Sequence, residues 1–179
     1  YSLAEAMLRA NAEAVVITGR KEEKLAAAKE KLAETNPKWN DRVFTQVMDI
    51  RNTSSFESCF KEIQQKLDYR KISILCNNAG TQGAKFGSAQ EQDFDNVMDT
   101  NYKGTFFLSQ LVAKYMIDNA IHGNILNIVS SSSIRPTGSA YALSKACMKE
   151  LTEGMAKYLI PHNIVVNGLA PGPTPTPLM

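Results

Sequence analysis

The chain has 179 residues, of which 44% are apolar and 21% are charged, and its formal net charge is +2. This length fits one domain with a substantial core, and the lack of any basic block argues against nucleic-acid binding. No apolar run approaches the roughly 18 residues that span a bilayer, and no signal peptide opens the sequence, so we expect neither a membrane segment nor export.

The hydrophobic pattern alternates between amphipathic helices and short apolar strands. In chain order it predicts helices over residues 2–10, 22–34, 53–67, 90–117 and 141–159. Between them it predicts strands over residues 14–18, 43–48, 72–76, 124–129 and 163–169. Short apolar strands that alternate with helices are typical of a parallel sheet with helices on both faces. We therefore predict one α/β domain over residues 1–179, with a doubly wound parallel sheet.

The residues that follow the predicted strands are small, polar or glycine. These segments are Gly19-Arg20, Asp49-Ile50, Asn77-Asn78-Ala79-Gly80, Ser130-Ser131 and Ala170-Pro171-Gly172. In open α/β sheets, ligands bind beyond the carboxyl ends of the strands. Ordinary turn chemistry explains any one of these segments, but all five together favour a ligand-binding cleft. By contrast, Trp39 lies in a polar stretch and is predicted to be a surface packing residue.

The segment from Ser130 to Lys145 carries the strongest chemical signal. A strand leads to Ser130, and Tyr141 begins a helix eleven residues later, with Lys145 one turn further on. Residues at positions i and i+4 share a helix face, and a nearby ammonium favours the ionised form of a phenol. The pair can therefore act as an acid or base, while the serine hydroxyl binds the substrate oxygen.

These motifs and their order resemble the short-chain dehydrogenase/reductase family, which has a Rossmann-type fold. The matching segments are Asn77-Asn78-Ala79-Gly80, Asn101-Tyr102-Lys103-Gly104, Asn127-Ile128-Val129-Ser130, Tyr141-Ala142-Leu143-Ser144-Lys145-Ala146, and Val166-Asn167 leading into Pro171-Gly172. The resemblance implies an oxidoreductase that transfers a hydride between a nicotinamide cofactor and a carbonyl or alcohol. It also implies a homodimer or homotetramer.

The resemblance further implies roles for individual residues. Tyr141 would exchange the proton on the substrate oxygen, and Lys145 would favour the ionised tyrosine and bind the nicotinamide ribose. Asn101 would hold a water on the proton path, and Ser130 would complete the catalytic set. The implied cofactor contacts, besides Tyr141 and Lys145, are Gly19, Arg20, Asp49, Ile50, Asn78, Ala79, Gly80, Pro171, Gly172, Thr174 and Thr176.

The chain departs from the family pattern in two respects. The interval from Ser130 to Tyr141 is shorter than usual, and the run of four serines leaves Ser131 as the alternative catalytic serine. The glycine-rich phosphate loop is also missing, because Tyr1-Ser2-Leu3-Ala4 already resembles the helix that follows that loop. We therefore expect the first strand and the C-terminal part of the domain to lie outside this sequence.

Arg20 bears on the choice of cofactor. After the second strand of a Rossmann fold, a carboxylate binds the ribose hydroxyls of NAD, whereas an arginine pairs with the 2′-phosphate of NADP. Arg20 and Lys21 occupy this place, and no carboxylate does. The pattern favours NADP and leaves NAD open.

The remaining expectations concern function class, compartment and metals. A non-catalytic nucleotide-binding regulatory or scaffold protein of the same fold is the alternative to the oxidoreductase. The three cysteines lie far apart, form no CxxC pair and are typical of a reducing compartment, so we expect a cytoplasmic protein. The two histidines have no second ligand at metal spacing, and no metal site is expected. The substrate, beyond a small carbonyl or alcohol, is not specified.

Overall fold

The strands of the chain are connected through helices and pair in parallel. A computed structural model describes residues 1–135 and 137–174. The chain divides into two compact units, an N-terminal unit of Tyr1–Arg70 and a C-terminal unit of Lys71–Met179. Every strand pair of the described residues is parallel. The predicted α/β fold with parallel strands is therefore confirmed.

The N-terminal unit contains a two-stranded sheet. Its elements are α1 (Ser2–Arg9), β1 (Val15–Gly19), α2 (Glu22–Thr35), a 3-10 helix (Pro37–Arg42), β2 (Val43–Val47), a second 3-10 helix (Thr53–Ser55) and α3 (Phe56–Lys66). In the register of the sheet, Val15 lies opposite Val43 and Gly19 lies opposite Val47. The helix α2 makes the crossover that a parallel pair requires.

Trp39 belongs to the core of the N-terminal unit, and the prediction of a surface residue was wrong. Its side chain is 5% exposed and packs in a cluster with Ala4, Leu8, Leu32 and Val43. The Asn36 side chain accepts a hydrogen bond from the Lys38 N–H (3.1 Å) and caps the 3-10 helix, which turns the indole inward while Lys38 and Asn40 stay exposed. The polar residues on either side of Trp39 led to the wrong prediction.

The C-terminal unit contains a three-stranded sheet of order β3-β4-β5. Its elements are β3 (Ile74–Asn77), α4 (Glu91–Met98), a π-helical turn (Asp99–Lys103), α5 (Gly104–Asp118), β4 (Asn124–Ile128), a 3-10 helix (Ser131–Ile134), α6 (Ala140–Leu159) and β5 (Val165–Leu169). Asn77 lies opposite Asn127 in the sheet, and Asn127 lies opposite Gly168. Within the described ranges, no helix has the length and apolarity needed to cross a membrane.

The helix predicted over residues 90–117 is interrupted. A π-helical turn separates α4 from α5 and carries Asn101, whose side chain is 1% exposed. Single π turns inside α-helices are frequent at functional sites, because the wider turn changes the direction of one side chain. The apolar spacing of the helix does not reveal such a turn.

Candidate active site

The carboxyl end of β1 opens into a cavity of about 240 Å³ in the N-terminal unit. The residues that line it are Ile17, Thr18, Gly19, Arg20, Lys21, Lys24, Leu25 and Ala28. Three of them are cations, and Lys24 reaches the cavity from α2, which the sequence analysis did not anticipate. Because three positive side chains share one small cavity, an anionic group is the ligand that its electrostatics favour.

Asp49 and Ile50, predicted to contact the cofactor, follow β2 in the same unit. The Asp49 carboxylate accepts hydrogen bonds from the Arg51 guanidinium (2.7 Å to Nη2) and from the Arg51 backbone N–H (3.0 Å). The side-chain hydrogen bond from Arg51 holds the pKa of Asp49 below its usual range. The carboxylate is thus ionised and already paired, and Ile50 beside it is half-buried.

Lys145 is the buried cation of the C-terminal unit. Its side chain is 4% exposed, and its Nζ donates a hydrogen bond to the Ile128 carbonyl at the end of β4 (2.6 Å). Burial lowers the pKa of Lys145 from 10.5 to about 8, because desolvation penalises the charged form. The amine remains mostly protonated at neutral pH, and two further N–H groups stay available for a ligand.

Tyr141 lies one turn before Lys145 on α6. The Ser139 side chain accepts a hydrogen bond from the Ala142 N–H (3.2 Å) and caps the helix, which places Tyr141 in its first turn. The Lys145 Nζ is 5.9 Å from the centre of the Tyr141 ring. The phenol and the ammonium therefore occupy the same side of the helix, as the i, i+4 spacing predicts.

Asn101 connects the π-helical turn to two other segments. Its Nδ2 donates to the Thr81 carbonyl (2.9 Å) and to the Ser144 Oγ (3.0 Å), and its Oδ1 accepts from the Thr81 N–H (2.7 Å). The Ser144 hydroxyl in turn donates to the Tyr141 carbonyl (2.7 Å). Both amide hydrogens of Asn101 are already donated. A water bound there would therefore have to hydrogen-bond to the Asn101 backbone or to the remaining lone pair of its Oδ1.

Ser130 follows β4 and is 8% exposed. Its Oγ accepts a hydrogen bond from the Ser132 N–H (3.1 Å), which caps the 3-10 helix and leaves the hydroxyl hydrogen free to be donated. The Ser131 N–H donates to the Pro171 carbonyl (3.0 Å), so the segment after β5 reaches the end of β4. Both candidate serines lie at this edge of the sheet.

The remaining predicted cofactor contacts surround the ends of β3 and β5. A Cβ atom added to Gly80 would lie 3.7 Å from the Asn101 Oδ1 and 3.8 Å from the Lys145 Nζ, so this glycine borders the buried amine. Asn78 and Ala79 are exposed, as are Gly172 and Thr174. Thr176 lies outside the described residues. The cofactor contacts of these positions stay predictions.

A set of buried polar residues, which the sequence pattern did not predict, surrounds the candidate catalytic side chains. Ser109, Ser144 and Thr152 are each 7% exposed or less, and each takes part in a buried hydrogen bond. A usable signal was present, since Asn77 and Asn127 interrupt otherwise apolar strands. A buried amide requires hydrogen-bond partners, which implies polar residues on the neighbouring helices.

The chain is similar to known proteins along its whole length. The family model described as short chain dehydrogenase matches residues 1–179. The chain is 36% identical over 174 residues to the gluconate 5-dehydrogenase of Gluconobacter oxydans, across 96% of this chain and 65% of the relative. It is also 36% identical over 135 residues to the 3-oxoacyl-acyl-carrier-protein reductase FabG of Thermotoga maritima, across 74% of this chain and 54% of the relative.

A solved gluconate 5-dehydrogenase from Burkholderia cenocepacia, in complex with NADP and tartrate, matches with a TM-score of 0.84. It is 33% identical, and the match covers 98% of this chain and 68% of that chain. The chain thus spans about two thirds of the two gluconate dehydrogenases and about half of the reductase. This likeness shows a Rossmann-like α/β fold. Because the family model matches every residue, the chain belongs to the short chain dehydrogenase family.

Proposed function

We propose that this chain is part of an oxidoreductase that transfers a hydride between NADP(H) and a carbonyl or alcohol, with Tyr141 as the acid or base. The observation that carries the proposal is the buried Lys145 amine, fixed to the Ile128 carbonyl and 5.9 Å from the centre of the Tyr141 ring. Burial of a cation costs free energy, and the hydrogen bond to the Ile128 carbonyl offsets part of that cost. A cation held beside a phenol can stabilise the phenolate.

Each side chain has a distinct task in the proposed reaction. In the reduction of a ketone, the Tyr141 hydroxyl donates its proton to the substrate oxygen, and the Lys145 ammonium stabilises the phenolate that remains. The Ser130 hydroxyl donates a hydrogen bond to the same oxygen, because the bond from the Ser132 N–H occupies one of its two lone pairs and leaves its hydrogen available. In the oxidation of an alcohol, the same groups act in reverse.

Cations of the N-terminal unit support NADP as the proposed cofactor. The cavity after β1 offers Arg20, Lys21 and Lys24, which suit the 2′-phosphate of NADP and give NAD no carboxylate partner. In the C-terminal unit, two N–H groups of Lys145 remain for the hydroxyls of the nicotinamide ribose. When bound, the nicotinamide ring supplies or accepts the hydride.

The substrate class is proposed from chemistry and from the named relatives. The similar proteins include two gluconate 5-dehydrogenases and a 3-oxoacyl-acyl-carrier-protein reductase. We propose a small ketone or secondary alcohol for this chain. Hydroxy acids, sugars and 3-oxoacyl thioesters form the first panel to be tested.

The test compares Tyr141→Phe with Tyr158→Phe in the full chain. Tyr158 is a matched control because it lies on the same helix, is 71% exposed and is remote in sequence from the site. We expect Tyr141→Phe to lower kcat by a factor on the order of 10²–10⁴, the usual contribution of a general acid or base. Turnover is measured as NADPH absorbance with the panel of ketones, and Tyr158→Phe should stay near wild type.

Two results would contradict the proposal. Undiminished turnover in the Tyr141→Phe variant would remove the assigned role of the phenol. No turnover by the wild-type chain with any ketone or alcohol, despite measurable NADPH binding by fluorescence, would favour a nucleotide-binding protein without catalysis.

A further inference from the structure

A buried chain of hydrogen bonds runs through the C-terminal unit below the candidate catalytic residues. The Asn77 Nδ2 donates to the Asn127 Oδ1 (2.8 Å) and to the Ser109 Oγ (2.8 Å). The Asn127 Nδ2 donates to the Thr152 Oγ1 (2.9 Å), and the Thr152 hydroxyl donates to the Met148 carbonyl (2.7 Å). These contacts join β3, β4, α5 and α6.

The donor and the acceptor of each hydrogen bond in this buried network follow from the groups that form it. The Thr152 hydroxyl uses its hydrogen on Met148, so it can only accept from the Asn127 amide. The Asn127 Oδ1 is then turned to Asn77, its direct partner in the sheet register. Asn127 is 0% exposed and Thr152 is 7% exposed, so water is a poor substitute for either group.

The contact between Thr152 and Asn127 attaches α6 to the end of β4. The hydrogen bond from the Lys145 Nζ to the carbonyl of Ile128, the residue after Asn127, attaches it a second time. Lys145 and Thr152 are seven residues apart, which is close to two helical turns and keeps both side chains on one face of α6. Two attachments on one face fix the position of α6 along the direction of β4.

The packing beside Thr152 also favours this attachment. A Cβ atom on Gly168, the residue opposite Asn127 in β5, would lie 3.4 Å from the Thr152 Cγ2 and 3.2 Å from the Val129 Cγ2. The glycine therefore lets α6 approach the sheet closely, and the threonine fills the space that remains. The space beside Gly168 accommodates both the hydroxyl and the methyl group of Thr152.

We propose that Thr152 is a positioning residue, which holds α6 in register with β4 through Asn127 and thereby keeps the Lys145 amine on the Ile128 carbonyl. The proposal rests on the function proposed above, because it is Lys145 that acts on Tyr141 and the cofactor. The Thr152 hydroxyl is bound to Asn127 and to the Met148 carbonyl, not to Tyr141 or Lys145. The hydroxyl acts through the helix.

The test replaces Thr152 by valine, which keeps the shape and removes the hydroxyl, and by serine, which keeps the hydroxyl. We expect Thr152→Val to lower kcat roughly tenfold, with a smaller change in the KM of the ketone, because the proton-transfer groups are displaced while the substrate pocket is not. Thr152→Ser should restore kcat. Thr105→Val, a change of another buried threonine of the same unit, in α5, is the control.

A second readout does not depend on turnover. The Cε resonance of ¹³C-labelled Lys145 is titrated by NMR in the wild type and in both Thr152 variants. In the wild type the midpoint should lie near the pKa of about 8 that burial produces, with Tyr141 as the titratable neighbour. In Thr152→Val the amine loses its fixed place, and the midpoint should rise towards the ordinary value of 10.5.

The outcomes separate this proposal from the proposed function. If Thr152→Val lowers only thermal stability, with kcat and the Lys145 midpoint unchanged, the threonine is merely structural and the proposal is overturned. Serine behaving like valine would overturn it as well. If the wild type shows no turnover, the proposed function fails and the NMR midpoints still decide the role of Thr152. If the valine variant does not fold, Thr152→Ala takes its place.

Discussion

The two units of the chain differ in the polar residues that lie near their candidate ligand sites. In the N-terminal unit, the residues beside the end of β1 are charged and exposed, such as Arg20 and Lys24 at the cavity. In the C-terminal unit, Asn101, Asn127 and Lys145 are buried and fixed by short hydrogen bonds. An anion can be attracted by solvated cations, whereas proton transfer requires groups at fixed positions.

The strongest test of this difference is the pH dependence of stability that Lys145 introduces. Its folded-state pKa of about 8 lies below the ordinary 10.5, so between these values the unfolded chain binds the additional proton. Stability should therefore rise with pH across this window. The gain amounts to at most roughly 3 kcal/mol. Urea unfolding of the full chain at pH 7, 9 and 10.5 measures it.

Lys145→Met is the reference for this measurement, because methionine keeps much of the apolar stem and removes the amine. Burial raises the pKa of Cys76, so its thiol ionises first in the unfolded chain and lowers stability above its ordinary value of 9.0. That contribution is present in both proteins and cancels in the difference. If wild type and variant respond to pH alike between pH 8 and 10.5, Lys145 does not titrate as a buried amine.

The same contrast explains how much the sequence could predict. The strands and the Tyr141–Lys145 pair follow from the apolar pattern and from i, i+4 spacing, which are local properties. The π-helical turn at Asn101 and the attachment of Thr152 depend on contacts between segments distant in sequence. Trp39 was placed wrongly for a related reason, since its polar neighbours point outward while the core of its own unit covers the indole.

A smaller effect is expected from Arg20→Ala in the N-terminal unit. Loss of one charge-assisted contact to a phosphate should raise the Kd of NADPH roughly tenfold and leave the Kd of NADH nearly unchanged. Fluorescence titration of both cofactors at one fixed ionic strength measures the difference. Lys61→Ala, which removes an exposed cation of α3 outside the cavity lining, is the charge-matched control. Equal weakening of both cofactors by Arg20→Ala would remove the assignment of NADP.

The smallest effect should come from Arg51→Ala, which breaks the ion pair with Asp49. Both side chains are partly exposed, at 40% and 31%, so the loss of stability at pH 7 should stay below about 1 kcal/mol. Because Arg51 lowers the folded-state pKa of Asp49, this stabilisation is present above the ordinary value of 3.8 and disappears as the pH falls through the lowered one. Urea midpoints of wild type and variant should therefore differ at pH 6 and converge near pH 2. A loss comparable to that from a buried group would show that the N-terminal unit, too, depends on fixed polar contacts.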